Sequence, residues 1–138
     1  MKLNTYVNFN GNLEEAFRYY EQHLGAKTLS LMRFSQMPDA EKHTPQGFAN
    51  KVLHARMALA DTYIMAADVP TAEAMRSAYL SLSVDSNDEA ERIYTALADG
   101  GEIFMKINET FFAHRFGMLR DRFGINWMII HEKPMPNA

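Results

Sequence analysis

Two histidines, His54 and His114, each open an eight-residue segment that closes on a matched Leu and Asp: His-Ala-Arg-Met-Ala-Leu-Ala-Asp at 54–61 and His-Arg-Phe-Gly-Met-Leu-Arg-Asp at 114–121. Imidazole is the side chain suited to proton transfer near neutral pH, so either residue is a candidate general base. Two at matched places also suggest an alternative metal site, provided both point into one cavity. The plainer reading of each is a strand-edge histidine satisfied by water or a neighbour. Arg56 and Arg115 follow closely. A guanidinium grips a carboxylate or phosphate with two parallel bonds, or else pairs with an internal acid such as Asp68 or Asp121. Asp68 could itself bond a ligand; capping the loop beyond it is the alternative. Phe111 and Phe112 offer rings that could stack on a flat ligand, or that anchor a loop. No Ser-His-Asp order, phosphate loop or carboxylate dyad stands out, so nucleophilic and phosphoryl-transfer enzymes are not indicated.

The elements that must position these residues are two helices and eight strands. After Asn12 the apolar residues Leu13, Ala16, Phe17, Tyr20 and Leu24 follow a 3.6-residue period. Asn12 is the expected cap, Glu15 completes a capping box, and Gly25 ends the helix. The second helix has Ser86 as cap, Glu89 closing the box, the stripe Ala90, Ile93, Tyr94 and Leu97, and Gly100-Gly101 as its stop. In the first strand Leu3, Thr5, Val7 and Phe9 alternate with Asn4, Tyr6, Asn8 and Asn10, and 79–84 alternates likewise. Further strands are expected at 28–34, 52–60, 62–67, 103–107, 116–120 and 126–131. The stretch 35–51, with Pro38, Pro45 and Gly47, reads as a long loop of the kind that often forms a lid.

The two halves repeat each other. Glu15-Ala16-x-Arg18-x-Tyr20 matches Glu89-Ala90-x-Arg92-x-Tyr94, the two histidine segments match, and Tyr63-Ile64-Met65 matches Asn126-Trp127-Met128. Each half therefore reads strand, helix, strand, strand, strand: an α+β fold of two βαβββ modules in tandem. The expected modules are residues 1–68 and 78–133 within one domain, 1–138, joined by a linker at 69–77. One helix covers one face of a four-stranded sheet. If two such sheets face one another, the uncovered faces enclose a trough lined by Tyr6, Asn8, Met65, Tyr79, Ser81 and Met128, apolar walls with a few placed polar groups. Simple filling of the space by these side chains is the alternative. Trp127 falls on the helix side by parity and belongs to the core.

Composition narrows the classes. A chain of 138 residues with 47% hydrophobic and 22% charged residues is an ordinary globular composition. A net charge of −3 argues against a nucleic-acid surface. The longest apolar runs, such as 127–130, fall far short of the ~20 residues a membrane span needs. Lys2-Leu3-Asn4 opens into a polar, alternating segment rather than a signal-peptide pattern. The absence of cysteine excludes disulfides, zinc-thiolate sites and thiol nucleophiles. A cytoplasmic protein is expected.

The motifs Tyr6-Val-Asn-Phe-Asn-Gly-Asn12 and Glu15-Ala-Phe-Arg-Tyr-Tyr20 with Leu24-Gly25 resemble the opening module of the vicinal-oxygen-chelate superfamily, which holds glyoxalase I, extradiol dioxygenases and bleomycin-resistance proteins. The closer resemblance is to its PhnB-like members, carried by Met37-Pro38, His54-Ala-Arg56, Met65-Ala-Ala-Asp68, Leu82-Ser-Val-Asp85, Glu109-Thr-Phe111, Arg115-Phe-Gly-Met118, Asp121-Arg-Phe-Gly124 and Trp127-Met128. Together these cover nearly the whole chain. Sequences of this sort are also labelled demethylubiquinone methyltransferase-like, yet no Gly-rich loop follows a strand here to hold an adenosine cofactor. The resemblance implies that the usual metal-ligand positions are Tyr6, Met65, Tyr79 and Met128. Phenol and thioether are poor donors for Ni, Zn, Mn or Fe(II), so no metal and no cofactor are expected. It also implies a homodimer. The leading expectation is a small organic ligand in a metal-independent trough, with catalysis left open. One alternative is a metal-dependent glyoxalase- or dioxygenase-like enzyme with an atypical site. The other is an antibiotic- or metabolite-sequestering protein like the bleomycin-resistance relatives.

Overall fold

Alternation at period two leaves every strand with one face to cover, and in each half the amphipathic helix supplies the cover. The computed structural model describes residues 1–134, and the chain divides into two compact units, Met1–Glu73 and Ala74–Ala138. The first runs β1 (Thr5–Phe9), α1 (Leu13–Leu24), β2 (Lys27–Arg33), α2 (Ala40–His43), β3 (Val52–Leu59) and β4 (Thr62–Asp68). Its sheet has the order β1-β4-β3-β2, with β1 parallel to β4 and the other pairs antiparallel. The second runs β5 (Leu80–Ser83), α3 (Asn87–Ala98), β6 (Glu102–Asn108), β7 (Ala113–Arg120) and β8 (Asn126–Glu132). Its sheet repeats the pattern as β5-β8-β7-β6, again with the first pair parallel. The fold is the α+β tandem of βαβββ modules that the repeat implied.

In the first unit Leu13, Ala16, Phe17 and Tyr20 are buried where α1 packs on β2, β3 and β4, and Phe17 meets Phe9 edge to face with ring centroids 6.3 Å apart. Each such side chain contributes roughly 1.5–3 kcal/mol by leaving water. In the second unit the stripe Ala90, Ile93, Tyr94 and Leu97 is buried as expected. Tyr94 lies flat against β7 because residue 117 is glycine: a Cβ there would stand 2.9 Å from the Tyr94 ring. Trp127 is buried, as its parity required.

Helix α3 starts as its sequence says, with the Ser86 hydroxyl accepting from the Glu89 N–H at 3.1 Å. Helix α1 does not. The Asn12 side chain makes no capping bond; its backbone, at φ −116° and ψ 22°, lacks the extended geometry that aims a cap inward. Asp68, at the end of β4, takes over. Its Oδ1 accepts from Leu13 N–H at 3.1 Å and its Oδ2 from Val52 N–H at 2.9 Å, tying the starts of α1 and β3 to the end of β4. Leu3, expected in the first strand, lies outside β1 and is 98% exposed. The expected loop 35–51 begins within a 3-10 turn at Phe34–Gln36 and contains the one-turn α2.

The second unit closes with its own buried carboxylate. Asp121 Oδ1 accepts from Phe123 N–H at 2.9 Å and Ile125 N–H at 3.0 Å, and Oδ2 accepts from the Trp127 indole at 2.9 Å. The unit boundary falls inside the expected linker, and the linker's later part is pinned to the second unit. Met75 O accepts from Arg120 Nη2 at 2.6 Å, and Asn126 Nδ2 donates to both Met75 O and Ala78 O.

Candidate functional site

The register decides which side chains share the face of each sheet that no helix covers. In the first unit Tyr6 stands opposite Met65, Met65 opposite Arg56, and Arg56 opposite Ser30, so these four form one rung. His54 lies two residues back along β3, opposite Met32. Asn8 lies two residues on from Tyr6 and is exposed. Tyr6 is 51% exposed and Tyr63 49%, so this is an accessible surface as well as an aromatic one. The Tyr6 hydroxyl and His54 Nδ1 are 3.4 Å apart, a long hydrogen bond, with ring centroids at 5.9 Å. Arg56 holds its guanidinium 4.2 Å over the Tyr63 ring. The acids proposed for it at the sequence level are committed elsewhere: Asp68 to two backbone N–H groups, and Asp121 to the second unit's own loop. Asp68, 2% exposed, faces α1 and not this surface.

The corresponding surface of the second unit is built differently. Ser81 stands opposite Met128, Met128 opposite Met118, and Met118 opposite Met105. Counting from the paired methionines, Ser81 fills the place of Tyr6, and Tyr79 sits before β5, its ring edge-on to Phe104 at 6.3 Å. Tyr79, which the resemblance set beside Tyr6 among the ligand positions, therefore stands two residues before the register place of Tyr6. The same shift applies to the histidines. Arg56 pairs with Met65 as Met118 pairs with Met128, which makes Phe116 the counterpart of His54. His114 lies two residues earlier, its ring 4.7 Å from that of His131, which in turn bonds Asn87 Oδ1 at 2.8 Å. Arg115 is occupied: it bonds Glu91 at 3.0 Å and donates to His114 O at 2.6 Å. Phe111, 87% exposed, and Phe112 stand edge to face before β7, and Phe112 continues onto Phe116.

Electrostatics sets the ion pairs apart from this surface. The Arg33 guanidinium, bonded at 2.8 Å, holds the Glu14 carboxyl below its ordinary range, and Glu14 in turn raises Arg33. Lys133, bonded at 2.8 Å, lowers Glu109. A cleft of about 220 Å³ opens beside the start of α1, lined in part by Asn12, Glu14, Arg18, Lys51 and Asp68. Of its acids, Glu14 is bonded to Arg33 and Arg18, and Asp68 to the backbone. Tyr6, His54, Arg56 and Met65 do not line it.

The donor set does not fit a metal of the superfamily's kind. The positions that the resemblance implies as metal ligands are Tyr6, Met65, Tyr79 and Met128, and taking Ser81, the register counterpart of Tyr6, in place of Tyr79 adds only a hydroxyl. None is imidazole or carboxylate, the donors that Ni, Zn, Mn and Fe(II) favour. Among the described residues no three of His, Cys, Asp and Glu gather closely enough to hold an ion.

Over residues 1–130 the chain matches the family described as 3-demethylubiquinone-9 3-methyltransferase. The chain belongs to this family. It is 36% identical to Protein YjdN of Escherichia coli (strain K12) over 146 residues, 99% of each chain. The crystal structure of protein PA1353 from Pseudomonas aeruginosa superposes with a TM-score of 0.84 at 39% identity, over 97% of this chain and 99% of that one. The PhnB protein from Bacillus cereus does so with a TM-score of 0.79 at 23% identity, over 95% and 99%. A glyoxylase/bleomycin resistance protein/dioxygenase domain from Frankia sp. EAN1pec shares the fold, with a TM-score of 0.66 at 17% identity over 96% and 98%. These last two likenesses show that the chain shares their fold. Among the described residues no helix is long and apolar enough to cross a membrane.

Sequence reasoning missed Tyr63, which carries the Arg56 guanidinium. Its parity with Met65, two residues on in β4, was the available signal. It also missed His131, whose contact with His114 depends on the β7–β8 register.

Proposed function

We propose that this PhnB-like chain binds a small organic molecule, without a metal, on the helix-free faces of its sheets. The observation that carries the reading is the rung Tyr6–Met65–Arg56, an accessible surface of phenol, thioether and guanidinium with the Tyr63 ring beside it. Apolar and aromatic walls with a few placed polar groups are the usual make-up of a ligand site. Asn8 and His54 add polar groups to the first face; Ser81 and Met128, with Tyr79 just before β5, Phe111 and Phe112 before β7 and His114 within it, are the candidates of the second. Asp68 and Arg115 support the fold rather than the ligand, since both are bonded within their own units.

Phenol and thioether donors support the metal-free part of the reading. Methyl transfer forms no part of it, because the chain offers no Gly-rich loop after a strand for an adenosine cofactor. The state we assign is a cytoplasmic homodimer, as the resemblance implies, and a monomer by light scattering at micromolar concentration would overturn the dimer. Elemental analysis of protein purified without chelator tests the binding mode. We expect substoichiometric transition metal. Stoichiometric nickel, zinc, manganese or iron that disappears on His54→Ala or His114→Ala would replace this reading with a metal-dependent enzyme.

A further inference from the structure

We infer that the molecule bound on the first unit's face is an organic oxyanion, its charged group held by Arg56 and its apolar body lying over Met65. The inference rests on the binding reading above and adds the ligand's chemistry. Five other arginines are matched with acids: Arg18 and Arg33 with Glu14, Arg115 with Glu91, Arg120 with Glu102 and Arg122 with Asp99. Among the described residues Arg56 has only the Tyr63 ring, at 4.2 Å. A ring beneath the guanidinium uses its flat face and leaves the in-plane N–H donors, up to five of them, for another partner.

Among the described residues, no acid neighbours Arg56 on the first unit's ladder to supply that partner. Met65 and Ser30 pair with Arg56 across the ladder, His54 and Ala58 flank it along β3, and Tyr6 lies one strand beyond Met65. All are neutral or basic residue types. An uncompensated cation half-shielded by an aromatic ring favours an anion from outside, and a guanidinium meets a planar or tetrahedral oxyanion with two bonds at once. The second polar point on the face is the Tyr6–His54 pair, with His54 about 7 Å from Arg56 along the strand. Between the two points lies the Met65 thioether. A ligand that satisfies all three has an oxyanion at one end, an apolar middle and a hydrogen-bonding group at the other.

Methionine-methyl NMR tests this with benzoate and phenyl phosphate as anions and benzamide as their neutral analogue, on protein labelled at the methionine methyls. Benzoate or phenyl phosphate is expected to move the Met65 methyl saturably, and whichever binds more tightly tells carboxylate from phosphate. Benzamide is expected to bind at least about tenfold more weakly, the loss typical of a charge-assisted contact. Arg56→Gln, which keeps a polar donor on a shorter side chain but removes the charge, should erase that preference. Arg56→Lys should retain part of it, and Arg18→Gln, an equal change of net charge elsewhere, should leave it intact. Equal binding of benzamide and benzoate, or benzoate binding unchanged by Arg56→Gln in a folded variant, would overturn the anion inference while leaving small-molecule binding in place. If none of the three probes moves the Met65 methyl, both readings fall together.

Discussion

Asp68 is 2% exposed, and each of its carboxylate oxygens accepts one backbone N–H, from Leu13 at 3.1 Å and from Val52 at 2.9 Å. Those two residues open α1 and β3, so a single side chain fixes the first unit's helix to two of its four strands. Asp68→Ala removes both acceptors and leaves two buried N–H groups unbonded. With about 1.5–3 kcal/mol for a hydrogen bond to a charged group, and 1–3 for a stranded donor, the variant should lose about 3–5 kcal/mol. Asp68→Asn keeps one carbonyl oxygen but turns an amide NH2 toward the other N–H, and should lose about 2–4 kcal/mol. Urea unfolding followed by far-UV circular dichroism measures the loss, and amide hydrogen exchange at Leu13 and Val52 locates it. The single tryptophan, Trp127, belongs to the second unit and reports that unit separately. A loss below about 0.5 kcal/mol for Asp68→Ala, or unchanged protection at both amides, would refute the clamp.

Gly101→Ala would put a Cβ 2.2 Å from the Arg120 carbonyl oxygen, a backbone atom with little freedom to move. The expected cost is about 2–4 kcal/mol, seen as a lower Tm. Tyr94 buries its hydroxyl without a hydrogen-bond partner, so Tyr94→Phe should hold stability level or raise it by about 1 kcal/mol in the same denaturation assay. Glu14 is held low chiefly by its hydrogen bond to Arg33, so it stabilises the fold above the ordinary carboxylate range. That contribution is lost as pH falls through the lowered value. Arg33→Gln should move the Glu14 titration upward in an NMR pH series; an unmoved titration would contradict the assignment.

The strands and helices were legible because their periods are written in residue type. Val7 and Phe9 against Tyr6 and Asn8, or Ala90, Ile93, Tyr94 and Leu97 at helical spacing, leave little choice of face. Register was less legible. Matching His54 with His114 aligns identical letters, whereas the ladders are set by turn length: two residues separate β3 from β4, and five separate β7 from β8. That difference slides the histidines out of equivalence, while the tyrosines part in the parallel registers, where Tyr6 faces Met65 but Ser81 faces Met128. The Asp68 clamp was hidden for another reason. Its partners lie 55 and 16 residues away, and the residue next to the helix, Asn12, carries a local capping signal that the backbone does not use. What the structure adds to the candidate site is a distinction the sequence could not draw, between Arg115, spent on Glu91, and Arg56, whose in-plane donors remain open.

The central claim is a metal-independent ligand surface on the helix-free side of the first sheet. Its most direct test is a methionine-methyl NMR screen of chelator-stripped protein against a library of aromatic fragments. Met57, buried on the opposite face of β3, serves as the internal control. The account predicts fragments that move the Met65 methyl and leave Met57 in place with no divalent ion present. Fragments that bind only after nickel, zinc or manganese is restored, or none that perturb Met65, would contradict it.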